Sequence, residues 1–464
     1  MTITPQRAAW RPMLAGDAEP LHVRLLSALQ QDLASGVLAP GARLPTHREL
    51  AHQLNIGVST VTRAYVEAEA QGLIISQVGR GSFVAQERPA AARPLSDPLD
   101  LARNLAPSAP AAKRLREAMR LLRRRPDLIE HLAYAPPAGL PAHRRAGAAW
   151  LERTAGLERA DWTRLLVCAG AQQALALTFA LLCRPGDTIL TEAGTFFGVC
   201  NLAEHAGYRL RGVAMDAEGL LPEALDRAAE ASGARVLYTL PTLQNPTGRT
   251  LSRERREAIT RIARARDFWI VEDDVYAAFA ADAPPALAML APERTFYVSG
   301  VSKVLGAGLR TGYLLAPTGE QFDRLTRAVR ATVYSPPTFG ALIATQWIED
   351  GAADLIAREV RDEVDARREI ASTVLGETLE MGAGGAPHVW LPLSELDAER
   401  LARRALRNGV EVTPPSAPIV EPSSLSGLRL SLGGVENRGD LERALRVIAA
   451  AMRERSGADA RGVV

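Results

Sequence analysis

From Leu21 the apolar positions Leu21, Leu25, Leu26, Leu29 and Leu33 recur at helical spacing and predict one amphipathic helix. A turn at Ala39-Pro40-Gly41 follows. Thr46 then caps a short helix, His47 to Leu54, with Glu49 three positions on as its capping-box partner. Asn55-Ile56-Gly57 breaks that helix. Another, from about Ser59 to Gln71, turns Val61, Tyr65 and Ala68 inward and leaves Ser59, Thr60 and Arg63 outward near its N-terminus. Gly72 stops it. The runs Leu73–Val78 and Ser82–Val84, on either side of Gly79-Arg80-Gly81, predict a two-stranded hairpin.

The periodicity then lapses. Residues 85 to 110 are rich in Ala, Pro and Ser, with five prolines from Pro89 to Pro110, and read as a linker that buries too little apolar surface to order itself. Beyond it, short apolar runs alternate with helix-length segments: Leu165–Cys168, Thr188–Thr191, Val236–Leu240, Phe268–Glu272, Thr295–Ser299 and Gly312–Ala316. That alternation predicts an α/β domain around a mostly parallel sheet. A charged, helix-periodic stretch fills about Gly319 to Leu379, and the last 85 residues return to short strands and helices. The expected domains are therefore 1–84, a linker at 85–110, and 111–464. The last comprises a large part from about 135 to 375 and a small α+β part from about 376 to 464.

A chain of 464 residues fits about three units of roughly 150 residues each, and 47% hydrophobic against 23% charged excludes a disordered or fibrous chain. No apolar run approaches the roughly 18 residues of a membrane span, and the N-terminus lacks a secretory apolar stretch. A soluble cytoplasmic protein without a membrane partner is expected. Cys168, Cys183 and Cys200 have no zinc-ligand spacing, so no metal site is expected and the thiols read as reduced and buried. Net charge, +2, neither demands nor forbids a nucleic-acid partner. Lysine usage is sharper: Lys113 and Lys303 stand alone against 53 arginines. Chemistry that needs a primary amine has only those two to use, because a guanidinium stays protonated.

Helix, helix–turn–helix and hairpin together describe a winged helix. In such a module the second helix of the pair lies in the major groove with its N-terminal residues facing base edges, here Ser59, Thr60 and Arg63. Arg43 and Arg48, around the first helix, are placed for phosphates, and Arg80 beside Gly81 for the minor groove. A winged helix used only for protein contacts is the alternative. Residues 20–84, with ARLPTHRELA, STVTRAYVEAEAQGLI and GRGSFV, resemble a GntR-type winged helix, which implies a double-stranded DNA operator as partner.

Pyridoxal phosphate chemistry needs a lysine, an acid at the pyridine nitrogen, donors to the phenolic oxygen O3′ and a phosphate cradle. Ser299-Gly300-Val301-Ser302-Lys303 follows a predicted strand and leads to Arg310. Lys113 lies in a cationic helical stretch and is the poorer amine. Glu272-Asp273-Asp274-Val275-Tyr276 ends another strand, placing a carboxylate and a phenol on one loop; Asn245-Pro246-Thr247-Gly248 is a turn with a suitable amide. Gly170-Ala171-Gln172 opens a helix whose N–H groups suit an anion, with Ser299, Ser302 and Arg310 to complete the cup. Phe196 is placed to stack on a ring, and Arg429 to clamp a carboxylate. Taken alone, the Glu272–Tyr276 loop and the Asn245–Gly248 turn read by default as a solvated loop and a plain turn.

In this order and spacing the set resembles the fold-type I, aspartate-aminotransferase-like PLP domain, from about residue 99 to the C-terminus. The resemblance implies that Lys303 forms the internal aldimine, Asp273 pairs with the pyridine nitrogen, and Asn245 and Tyr276 contact O3′. It gives the phosphate to Gly170, Ala171, Gln172, Ser299, Ser302 and Arg310, and a substrate or effector carboxylate to Arg429. Tyr134 resembles the tyrosine that the family lends to the neighbouring subunit. The two halves together resemble the MocR/GabR family of bacterial transcription regulators. That implies a homodimer whose DNA binding responds to pyridoxal 5′-phosphate and a small amine or amino-acid effector. A working aminotransferase of the kynurenine/2-aminoadipate type that carries a DNA-binding head is the alternative. A DNA-binding scaffold with a dead cofactor site gives no reason for Lys303 among 53 arginines.

Overall fold

The computed structural model describes residues 10–14, 20–35, 37–39, 41–70, 73–77, 81–84, 98–158, 160–280, 282–382 and 384–458. It divides into two units, Met1–Asp97 and Pro98–Val464. In the first, α1 (Leu21–Ala34), α2 (His47–Leu54) and α3 (Val58–Ala70) precede a hairpin of β1 (Ile74–Gln77) and β2 (Gly81–Val84). Thr46 caps α2 reciprocally. Its hydroxyl accepts the Glu49 N–H at 3.3 Å, and the Glu49 carboxylate accepts the Thr46 N–H at 2.8 Å. Asn55, left-handed at φ 51°, ends the helix. Leu25, Leu29, Leu50, Val61, Tyr65 and Ile74 close one small core, with the Tyr65 hydroxyl donating to the Pro45 carbonyl at 3.0 Å. Arg43 bridges Phe83, so the chain before α2 adds an edge to the hairpin. Arg80, at the expected hairpin tip, lies outside the described residues.

The second unit runs β3 (Leu99–Leu101), α4 (Ala109–Leu122), α5 (Pro141–Ala155), β4 (Leu165–Cys168), α6 (Ala171–Leu182), β5 (Thr188–Glu192), α7 (Phe197–Ala206) and β6 (Arg209–Val213). The short β7 (Met215–Asp216) and β8 (Gly219–Leu220) precede α8 (Pro222–Ser232), β9 (Val236–Thr239), α9 (Arg253–Ala265), β10 (Trp269–Asp273) and α10 (Leu287–Leu290). Then come β11 (Thr295–Gly300), β12 (Gly312–Leu315), α11 (Gly319–Thr332), α12 (Thr338–Glu349) and α13 (Ala352–Leu375). The small subdomain adds β13 (His388–Pro392), α14 (Glu395–Arg407), β14 (Val410–Val412), β15 (Gly427–Ser431) and α15 (Arg438–Ala458).

Seven strands form the central sheet in the order β4-β12-β11-β10-β9-β5-β6, parallel except for β12, which is antiparallel to both neighbours. Every residue of β4, β9 and β11 is buried, as expected of strands covered by helices on both faces. The apolar-run reading finds six of these strands and misses β6. As an edge strand reading Arg-Leu-Arg-Gly-Val, it has no apolar run to find. No helix among the described residues is long and apolar enough to cross a membrane. Cys168 and Cys183 are buried, Cys200 is half-buried, and none is in a disulfide.

The expected linker, 85–110, ends sooner in the fold. Leu99–Leu101 pairs in parallel with Val410–Val412, Leu101 is fully buried, and α4 begins at Ala109. Composition hides this because the partner strand lies at the other end of the chain.

Candidate functional site

Parallel strands release their chain at one edge of the sheet, and a cavity of about 160 Å³ opens there. The loop after β9 brings Asn245, the end of β10 brings Asp273 and Tyr276, the turn after β11 brings Ser302 and Lys303, and α6 presents Ala171 and Gln172. Phe196 and Arg310 also line it, with Leu240, Val275 and Ala307 as apolar wall.

The amine of Lys303 donates to the Asn104 carbonyl at 2.5 Å and lies 5.8 Å from the centre of the Tyr276 ring. Burial lowers its pKa from 10.5 to about 8; the Arg429 charge pushes the same way, and Asp273 opposes it. Asp273, 2% exposed, accepts from the Tyr238 hydroxyl at 2.8 Å through Oδ2, while its Oδ1 has no partner among the described residues. Burial pushes this carboxyl up to about 7, with the Tyr238 bond opposing. Tyr276 accepts from Asn104 Nδ2 at 2.8 Å.

Gly170 (φ 83°) leads into α6, whose first N–H groups have no intrahelical partner. A Cβ at Gly170 would stand 2.8 Å from Arg310 Nη2, and one at Gly312 only 2.5 Å from the Gly170 carbonyl carbon. The Arg310 guanidinium, which donates to the Ala169 carbonyl at 2.9 Å, therefore reaches the helix mouth only over bare backbone. An orphaned carboxylate oxygen, an amine, and a glycine-lined helix N-terminus beside an arginine, gathered at one cavity, fit the pyridine nitrogen, aldehyde and phosphate of pyridoxal phosphate.

Other expected residues sit differently. Ser299 gives its hydroxyl to the Asp274 carbonyl at 3.1 Å and is not among the residues lining the cavity. Gln172 donates its side-chain amide to the Gly198 carbonyl at 2.7 Å. Phe196 packs edgewise on Phe197, ring centres 5.2 Å apart. Arg429, 2% exposed, is held by neutral acceptors: Asn245 Oδ1 at 3.0 Å, Thr413 Oγ1 at 2.7 Å and the Ala102 carbonyl. Its Nε has no partner, and no carboxylate pairs with it among the described residues. Tyr134 is 81% exposed and meets Tyr334 instead of the cavity of its own chain.

Sequence reasoning missed Asn104, Tyr238 and His388. The His388 ring lies between Asn104 Nδ2 (3.1 Å) and the Gln244 carbonyl (3.1 Å), and burial lowers its pKa to about 3. Asn104 stands in the stretch read as linker, and nothing local marks it.

In the first unit Ser59 and Arg63 are exposed and Thr60 is half-buried on the opening turns of α3. Arg48 is exposed on α2. Arg43 lies against Gly81 (φ 108°) in the hairpin, where a Cβ would meet its Nε at 3.3 Å, so it belongs with the wing more than with the first helix of the pair. None of the three arginines is in an ion pair among the described residues. No cluster of three His, Cys, Asp or Glu side chains is placed to hold a metal ion among them either.

Comparison with known proteins agrees with both halves. The model of aminotransferase class I and II matches residues 96–448, and that of the gntR family of bacterial regulatory proteins matches 21–84. The HTH-type transcriptional regulator YdeF of Bacillus subtilis is 26% identical over 95% of this chain and 96% of its own; YisV of the same organism is 27% identical over 95% and 97%. An archaeal alanine:glyoxylate aminotransferase superposes with a TM-score of 0.70 at 25% identity, covering 80% of this chain and 93% of its own. LysN, the α-aminoadipate aminotransferase of Thermus thermophilus solved with N-(5′-phosphopyridoxyl)-L-leucine, gives 0.69 at 25%, covering 78% and 94%. The chain belongs to the class I and II aminotransferases and carries a gntR-family module ahead of that domain, the architecture of MocR/GabR-type regulators.

Proposed function

We propose that this protein is a cytoplasmic transcription regulator. Its winged helix binds an operator, and its aminotransferase-like unit binds pyridoxal 5′-phosphate and an amine or amino-acid effector. The observation that carries the reading is the coexistence, in one chain, of a cofactor-shaped cavity around Lys303 and an exposed recognition-helix face. Pyridoxal phosphate supplies an aldehyde that condenses with primary amines and a pyridinium ring that draws electrons from them. Lys303 is the amine that holds it. Asp273 keeps a proton on the ring nitrogen, Asn245 and Tyr276 meet O3′, and Phe196 covers the ring. Gly170, Ala171, Gln172, Ser302 and Arg310 take the phosphate, with Ser299 bracing that loop. Arg429, a buried cation without a carboxylate partner among the described residues, takes an effector carboxylate. Ser59, Thr60 and Arg63 meet base edges; Arg43, Arg48, Arg80 and Gly81 meet the backbone and minor groove.

The unit works as a homodimer. Ile129, Leu132, Tyr134, Tyr334 and Phe339 are exposed apolar side chains, Tyr134 and Tyr334 meet with ring centres 5.0 Å apart, and an exposed Tyr134 suits entry into a neighbour's site. Light scattering tests the mass.

The unpaired Arg429 charge equally favours a second reading, an aminotransferase with a DNA-binding head. Fluorescence anisotropy on the DNA flanking the protein's own gene decides, with and without pyridoxal phosphate and at two salt concentrations. Site-specific binding that the cofactor shifts, weakened by about 1–3 kcal/mol in Arg63→Ala, supports the regulator. Cofactor-indifferent, nonspecific binding together with sustained turnover of an amino-acid and keto-acid pair supports the enzyme.

A further inference from the structure

One short segment of the second unit touches both its small subdomain and the cofactor-shaped cavity. Leu99, Asp100 and Leu101 lie opposite Val410, Glu411 and Val412. Asp100, 6% exposed, shapes the turn that follows, its Oδ1 accepting the N–H groups of Ala102 at 2.8 Å and Arg103 at 2.9 Å. The turn aims the Ala102 carbonyl at Arg429 Nη2 and at the Thr413 hydroxyl, the latter at 3.0 Å. Two residues later the Asn104 carbonyl accepts from Lys303 Nζ, and its side chain donates to Tyr276. On the other side there is no slack: a Cβ on Gly434 would stand 2.3 Å from the Asp100 carbonyl oxygen, and one on Gly433 2.0 Å from that of Leu105. The segment cannot move against Lys303 without breaking a bond, nor against the small subdomain without displacing backbone. N-terminal to Pro98, residues 85–97 continue the chain to the winged helix.

The bond from Lys303 is conditional on its chemistry. When a neutral primary amine condenses with an aldehyde, the nitrogen gains a C=N bond, and both its hydrogens leave with the aldehyde oxygen as water. The imine nitrogen then carries no N–H, or a single one if it takes up a proton from its surroundings, in place of the freely rotating donors of the amine, from which the Asn104 carbonyl accepts. We propose that Leu99–Asn104 is a relay: condensation at Lys303 releases the Asn104 carbonyl, and the segment passes the change along the chain that leads to the DNA-binding module. This deepens the regulator reading and rests on it. Linkage makes the relay reciprocal, so operator DNA alters the affinity for pyridoxal phosphate by the same factor.

The test uses the full chain, two probes and two variants. Pyridoxal phosphate condenses with Lys303; pyridoxamine phosphate has the same ring and phosphate but no aldehyde. Asp100→Ala removes the acceptor that shapes the turn, whereas Asp100→Asn keeps Oδ1. Amide hydrogen exchange at residues 102–105 is expected to speed up with pyridoxal phosphate and stay unchanged with pyridoxamine phosphate. Pyridoxal phosphate is expected to change operator affinity by about fivefold or more in the wild type and Asp100→Asn, and by less than about twofold in Asp100→Ala. The cofactor absorbance band confirms loading in each. Exchange indifferent to pyridoxal phosphate, or equal with both probes, overturns the relay whatever the variants do. A wild-type DNA response that survives intact in Asp100→Ala overturns the relay alone; a wild type whose DNA binding ignores the cofactor overturns the regulator reading as well.

Discussion

Lys303 offers the sharpest quantitative test, because an amine attacks an aldehyde only in its neutral form. An ordinary lysine titrates at 10.5, whereas burial and the Arg429 charge bring Lys303 to about 8 against the pull of Asp273. At pH 7 roughly one Lys303 amine in ten is neutral, against about one in three thousand for an ordinary lysine, an advantage of about 3 kcal/mol. Capture of pyridoxal phosphate, followed by stopped-flow absorbance from pH 6 to 10, is therefore expected to rise about tenfold per pH unit and level off near pH 8. Arg429→Met removes a like charge and moves the break upward; Asp273→Asn removes an opposite one and moves it downward. Lys303→Ala abolishes the band even though Lys113 remains. A rate that still climbs tenfold between pH 8.5 and 9.5 refutes the reasoning, since it means that the amine is solvated like any other.

Four further outcomes are expected. Tyr238→Phe takes from Asp273 its one side-chain donor, a bond to a charged acceptor of about 1.5–3 kcal/mol, and lowers affinity for pyridoxal phosphate about ten- to a hundredfold by absorbance titration. In the cofactor-free protein the folded pKa of Asp273, about 7, lies above its ordinary 3.8. Its contribution is complete below about pH 4 and is lost as pH rises through 7, so Asp273→Asn flattens the fall in denaturant stability across that window. Gly312→Ala drives a methyl into the Gly170 carbonyl carbon and the Ala171 nitrogen, 2.5 and 2.8 Å away. It costs about 1–3 kcal/mol and weakens cofactor binding, read by thermal unfolding and titration. Thr46→Ala breaks the capping box of α2 at a cost of about 0.5–2 kcal/mol, seen as faster amide exchange in that helix with the second unit unchanged.

What local sequence determined is what local physics decides. The capping box at Thr46 and Glu49 satisfies its own helix end, so four residues suffice to place α2. Buried parallel strands read as apolar runs because both their faces are covered, and the loops at their ends carry Asn245, Asp273, Tyr276 and Lys303 in plain view. The scarcity of lysine singled out Lys303 by elimination, with no structure needed.

Tertiary structure alone decided the rest, because those contacts join residues that no window contains. Asn104 reaches Lys303 and Tyr276 across 199 and 172 residues of sequence, and composition assigned its neighbourhood to a linker. The Tyr238 hydroxyl finds Asp273 only because β9 and β10 are adjacent in the sheet. Packing turned Ser299 toward the Asp274 carbonyl and gave Arg429 to Asn245, Thr413 and Ala102, roles that their motifs did not announce. Tyr134 is exposed and packs on Tyr334, a contact 200 residues apart in sequence that its motif did not announce. Sequence named the chemical groups, since those follow from residue type and the nearest few neighbours. Which groups share one desolvated space, and so which pKa values move and which bonds depend on one another, followed only from the folded arrangement.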